Sequence, residues 1–138
     1  MSFWRTYYHL VWATKDRQPM INPDRELILY PFLLGKCDYL GAILHQIGGI
    51  DNHIHLIVSI PPKISVADFV QHLKGSSAHH LNEVSNQEVS HSSKFVWQTS
   101  YSVFTLSKNQ LEPAIAYVAN QKQHHTEKTT IPALERDL

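Results

Sequence analysis

The chain has 138 residues and an apolar fraction of 43%, enough for a single domain to bury its own core. Its 12 basic and 12 acidic side chains cancel, which excludes a strongly basic nucleic-acid module and leaves room only for a local patch. The lone Cys37 excludes an internal disulfide framework, and Leu27 to Leu34 is too short to span a bilayer. With no signal peptide in view, a cytoplasmic protein is expected.

Residues Arg5 to Thr14 are aromatic and β-favouring and predict a first strand. Asp24 caps a predicted helix through Leu34, with Leu27, Ile28, Phe32 and Leu34 as its apolar side. Pro31 should kink or split it, because proline removes a donor and clashes one turn back. Tyr39 to Gly48 predicts a second strand, Asp51-Asn52 a tight turn, and His53 to Ile60 a third strand. Pro61 and Pro62 end that hairpin. Ser65 with Asp68 then opens a second helix, along which Val66, Phe69, Val70 and Leu73 recur at helical spacing. Val84 to Lys94 is polar and serine-rich and predicts a mobile loop. Phe95 to Leu106 predicts a fourth strand, with Trp97 favoured for the core. Ser107 or Asn109 caps a third helix, with Pro113 in its first turn, running through Ile115, Tyr117, Val118 and Gln121. Residues 126–138 are expected to form a loosely ordered tail with at most a short helical turn, within a single domain spanning 1–138.

The order β-α-β-β-α-β is that of a ferredoxin-like (RRM-like) α+β fold, an antiparallel sheet with two helices on one face. Side chains on a strand alternate between faces, so Ile54, Leu56, Val58 and Ile60 point one way and His53, His55, Ile57 and Ser59 the other. The apolar set should meet the two helices. The two imidazoles then lie on the open face, which the additional third helix is left to cover.

Two histidines about 7 Å apart along a strand can lean onto one metal ion. Tyr117 and Gln121 are four residues apart on the third helix, so they share a face. If that helix crosses the open face, the phenol and the carboxamide meet both imidazoles. The set His53, His55 and Gln121 leaves coordination positions free and suits Mg²⁺ or Mn²⁺ completed by phosphate oxygens and water. Tyr117 beside such an ion has a natural role as a nucleophile on a phosphodiester.

These residues bear a resemblance. A His-hydrophobic-His strand followed by a Tyr-x-x-x-Gln helix is similar to the HUH-type single-tyrosine transposases of small bacterial insertion sequences and their repeat-associated relatives. The resemblance takes in YYHLVWATKDRQP from Tyr7, DNHIHLIVSIPP from Asp51 and LKGSSAHHL from Leu73. It continues through VWQTSY from Val96 and YVANQKQHH from Tyr117. It implies a metal-dependent nickase and strand transferase acting on single-stranded DNA with hairpin ends. Tyr117 would form a 5′-phosphotyrosine link, and His53, His55 and Gln121 would hold Mg²⁺ or Mn²⁺. A homodimer is the implied assembly. Lys15, Arg17 and Lys74 are then candidate phosphate contacts, Tyr101 a candidate base-stacking residue, and His124 a DNA-facing one.

The residues also admit two other readings. A non-catalytic single-strand-binding module on the same sheet would use its aromatics, but gives no reason for Tyr117 and Gln121 at this spacing. A metal-dependent hydrolase would use bound water and make Tyr117 dispensable. The adjacent pairs His79-His80 and His124-His125 chelate poorly, because neighbouring helical residues diverge by about 100°.

Overall fold

In a computed structural model, residues 2–87 and 94–135 are described. The elements run β1 (Tyr8–Ala13), α1 (Pro23–Tyr39), β2 (Ile43–Ile50), β3 (His53–Ser59), α2 (Val66–Gln87), β4 (Ser102–Thr105), α3 (Lys108–Ala119) and α4 (Gln121–Glu127). A 3-10 turn, Pro132–Leu134, follows. The four strands form one antiparallel sheet in the order β2-β3-β1-β4. Leu10 and Trp12 of β1 stand beside Leu56 and Ile54 of β3, and with Val58 they meet Leu29 and Leu33 of α1 and Phe69 and Leu73 of α2. Both helices therefore cover one face, and the fold is α+β as the pattern predicts. On the opposite face Ile57 packs with Tyr117 and Val118 of α3. Every residue of β3 is buried.

The helix expected to break at Pro31 is one unbroken α1, and Asn22 caps it in place of Asp24. The Asn22 side-chain oxygen accepts from the Arg25 N–H at 2.8 Å, and Pro23 occupies the first helical position, where no donor is needed. Pro31 leaves the Leu27 carbonyl without its helical partner, but both residues are exposed, so water can take the bond. The buried side is Arg25, Leu29, Leu33 and Cys37 rather than the predicted set. Leu27 and Leu34 are 75% and 46% exposed, so a surplus of leucines hid the true face. Because α1 runs through Tyr39 and reverses at Gly41 (φ 76°), β2 starts at Ile43, later than predicted.

The fourth strand is shorter than the predicted Phe95 to Leu106. Only Ser102 to Thr105 pairs with β1, and Trp97 makes an isolated bridge to Thr14. The Lys74 ammonium donates to the carbonyls of Gln98 and Ser100, which ties this stretch to α2 instead. Trp97 is core, as predicted, with its indole N–H on the Ser77 hydroxyl at 2.9 Å. The predicted loop from Val84 is helical as far as Gln87, and positions 88–93 lie outside the described residues. The third helix is two segments with a break at Asn120, and Pro113 lies inside α3 rather than in its first turn. Asn109 and Pro113 are exposed, so the lost bond again faces water. Ser107, not Asn109, precedes the helix, and its N–H donates to the Gln110 side chain at 2.9 Å.

The helix carrying Tyr117 is laid against β2 at a glycine. A Cβ on Gly48 would stand 2.0 Å from the Val118 carbonyl oxygen, a backbone atom that cannot move without α3. Gly48→Ala should therefore lift α3 from the sheet and cost about 1–3 kcal/mol of stability. Urea unfolding of the two proteins checks this. Equal midpoints and slopes would mean that the helix does not sit where Gly48 allows it.

Candidate active site

His53 and His55 project from β3 beneath α3, and both are buried. Their δ nitrogens are each occupied. His53 Nδ1–H donates to the Asn52 side-chain oxygen at 2.8 Å, and His55 Nδ1 is hydrogen bonded to His9 Nε2 at 2.8 Å. Their ε nitrogens face the Glu135 carboxylate. With a carboxylate oxygen of Glu135, the two Nε2 atoms lie within 4.8 Å of one another. Glu135 Oε2 stands 2.8 Å from His55 Nε2 and 3.5 Å from His53 Nε2. Among the described residues the three atoms face one another and have no further hydrogen-bond partner. Three convergent, buried donor atoms with no partner but one another are what a divalent cation satisfies. The site therefore fits a metal.

Tyr117 and Gln121 arrive from α3 and α4 on one face, as their spacing predicts, and both are buried. The Tyr117 ring meets His55 edge-on at 6.0 Å between centroids and stacks on His124 at 4.7 Å. Its hydroxyl accepts from the Ile131 N–H at 2.9 Å. His125 Nε2–H is shared between Gln121 Oε1 at 3.1 Å and Glu135 Oε1 at 2.9 Å. Gln121 Nε2 is a fourth buried atom without a partner. Lys122 donates to the Gly49 carbonyl at 3.2 Å and pairs with Glu26, which fixes α4 against β2 and α1.

Burial holds the His9 imidazole far below its usual range, down to about 3, and the neighbouring His55 adds to the effect. Burial also lowers His55; the carboxylate of Glu135 opposes this only in part. Burial pushes the Glu135 carboxyl up, but the facing imidazoles of His53 and His55 more than reverse it and keep it ionised. Burial raises the Tyr117 phenol, and the Ile131 N–H offsets only some of that. Histidines 9 and 55 are thus neutral near pH 7, the state a metal ligand requires.

His53, His55, Tyr117 and Gln121 are brought together, and His124 joins them by stacking on the tyrosine. Arg17 lies close by, its guanidinium donating to the Glu135 carbonyl at 3.3 Å. Lys15 is exposed beside it, in a turn where Asp16 and Arg17 both hold positive φ. Lys74 and Tyr101 line a separate cavity of about 670 Å³ between α2 and residues 94–101. Nothing in the sequence marks Glu135, which lies in a tail without periodicity. Nor do His9 or Asn52 stand out as site residues, and His125 enters only as half of the pair His124-His125, set aside for its poor chelating geometry. The chain order DNHIH does carry Asn52 beside the pair, the one signal that was there to be read.

A buried imidazole pair facing a tyrosine, on an antiparallel sheet, makes a candidate active site. Over residues 2–121 the chain matches the family described as "Transposase IS200 like", and it belongs to that family. It is 29% identical over 107 residues to the transposase for insertion sequence element IS200 of Salmonella typhimurium, covering 77% of this chain and 70% of that protein. It is 27% identical over 116 residues to the ISDra2 transposase TnpA of Deinococcus radiodurans, covering 83% and 82%. A crystal structure of a candidate transposase from Deinococcus radiodurans R1 superimposes with a TM-score of 0.68 at 27% identity, covering 88% of this chain and 95% of that one. A REP-associated tyrosine transposase bound to a REP hairpin shares the fold, with a TM-score of 0.67 at 12% identity, covering 91% and 74%. Among the described residues no helix is long and apolar enough to cross a membrane.

Neutral burial of His9 and His55 has a consequence for stability. Their folded pKa values lie below the ordinary 6.5, so below that pH the unfolded chain takes up protons that the folded chain does not. Stability should fall as the pH drops from 7 to 4, by up to about 1.4 kcal/mol per pH unit for His9, with His55 adding in the same direction. Urea titrations of metal-free protein at several pH values measure this. A flat profile would mean that these rings are not buried neutral.

Proposed function

We propose that this family member is a single-strand DNA nickase and strand transferase that works through a 5′-phosphotyrosine intermediate at hairpin-bearing sites. The observation that carries the proposal is the meeting of Tyr117 with the bare Nε2 atoms of His53 and His55 in one buried site. The likeness to a protein solved with a REP hairpin supports hairpin-bearing DNA as the substrate class. The β2-β3-β1-β4 order is consistent with a ferredoxin-like reading of the fold.

His53, His55 and Glu135 would hold Mg²⁺ or Mn²⁺, both of which accept mixed nitrogen and oxygen ligands with open positions. Gln121 is the fourth candidate. Its unpartnered end is the amide nitrogen, and a half-turn of the amide offers the oxygen instead. When bound, the cation polarises the scissile phosphate and offsets the charge that develops on it.

The chain's own residues supply the rest. Tyr117 Oη attacks the phosphorus, the bond to the 3′-oxygen breaks, and the protein keeps the 5′-phosphate. Burial keeps the phenol protonated at rest, so its proton must leave during attack. The proton passes to solvent, because the Glu135 carboxylate, held far below its usual range and bonded to His125, is a weak base. Ile131 N–H orients the oxygen and His124 holds the ring by stacking. Arg17 and Lys15 flank this end of the sheet and would contact the DNA backbone, whereas Lys74 and Tyr101 belong to the other side of the molecule's core. Within one chain Tyr117 faces its own histidines, which supports attack in cis.

Tyr117→Phe should abolish the protein–DNA adduct on a denaturing gel with labelled hairpin DNA and Mn²⁺, while leaving hairpin binding within about threefold of wild type, because the lost hydroxyl serves the reaction. Nicking that persists in Tyr117→Phe would favour a bound-water hydrolase, and binding with no adduct in wild type would favour a non-catalytic module. Mixing Tyr117→Phe with His55→Ala protein should restore no adduct if attack is in cis. Restored adduct would show that the tyrosine serves a partner's site.

A further inference from the structure

His9 is a charged-type side chain with no accessible surface, so it cannot touch DNA, yet it is not packed like an apolar residue. It projects from β1 toward the α3 face. His9 pairs with Ile57 and Val11 pairs with His55, which sets the two histidines diagonally across neighbouring strands. The rings lie 5.1 Å apart between centroids at 50°, and Phe104 meets His9 edge-on at 6.0 Å from the other side. The hydrogen bond to His55 Nδ1 is the polar contact His9 makes among the described residues, and its own Nδ1 is left without a partner. Leaving a buried polar atom unpaired is costly, so an apolar residue would serve packing better. The bond to His55 is what this histidine is placed to make.

We propose that His9 is a positioning residue for the metal site: its Nε2 accepts the His55 Nδ1 proton and fixes the tautomer in which His55 Nε2 is bare. This rests on His53 and His55 being the metal ligands proposed above. The direction of the bond decides the outcome. If His9 donated, His55 would carry its proton on Nε2, donate it to Glu135 Oε2 at 2.8 Å, and could not ligate. Asn52 does the same for His53, because an amide oxygen can only accept. The two ligand histidines are thus held by two unlike acceptors, one from the hairpin turn and one from the neighbouring strand, and each acceptor orients one ring.

Mn²⁺ titration by calorimetry, without DNA, tests this on wild type, His9→Gln and His9→Phe. The Gln side chain can place an acceptor oxygen near the position of Nε2, and Phe offers none. His9→Phe should bind Mn²⁺ about 10–100-fold more weakly, and His9→Gln within about threefold of wild type. Thermal melts establish that each variant is folded. A folded His9→Phe with wild-type affinity overturns the proposal, as does an equal loss in a folded His9→Gln. If wild type itself binds no Mn²⁺, the metal-site reading falls with it, which the variants alone would not show. Should His9→Phe not fold, ¹⁵N spectra of Mg²⁺-saturated wild type decide. A proton on His55 Nδ1 with His9 Nε2 bare is the expected state, and a proton on His9 Nε2 overturns it.

Discussion

The structure depends on a strand buried on both faces. β3 sits between β1 and β2, and its alternation sends Ile54, Leu56 and Val58 into the two-helix core and His53, His55 and Ile57 under α3. A slip of one residue would exchange the two sets, placing imidazoles among leucines. The apolar face therefore fixes the register of the site. Pairing on both sides, with Leu10 and Trp12 beside Leu56 and Ile54, makes that register hard to lose.

The second consequence is that the polar face has no water to rely on. Each polar atom there needs a partner from the chain or from a ligand. His9 comes from β1, Asn52 from the turn, His125 from α4 and Glu135 from the tail. After those bonds are made, three imidazole nitrogens (one of them His9 Nδ1), one carboxylate oxygen and one amide nitrogen have no further partner among the described residues. Such atoms cost about 1–3 kcal/mol each, so the cluster is a poor way to stabilise a fold and a good way to hold a cation. Gly48 completes the arrangement by letting α3 lie close enough for Tyr117 and Gln121 to reach the same place.

Much of this was legible in the residues. The two-residue period of β3 and the four-residue spacing of Tyr117 and Gln121 are local and strong, and both hold. What failed did so for identifiable reasons. Pro31 was expected to break α1, but its clash and lost bond fall on a solvent face where water compensates. The apolar side of α1 was misassigned because only Leu29 and Leu33 of its leucines are buried, while Leu27 and Leu34 face solvent. The end of the fourth strand was invisible because Lys74, on another element, holds the carbonyls of Gln98 and Ser100. Glu135 was invisible for the same kind of reason: nothing near it in sequence marks a ligand, and only the turn at Pro132–Leu134 carries it to the histidines.

The central claim is that His53 and His55 present bare ε nitrogens to a cation. Crystals soaked in Mn²⁺ and measured near the manganese absorption edge test it directly. The account predicts an anomalous peak within bonding distance of both Nε2 atoms and of Glu135, with the Asn52 and His9 contacts kept. No peak there, with His53 and His55 instead donating from Nε2 to the carboxylate, would contradict it.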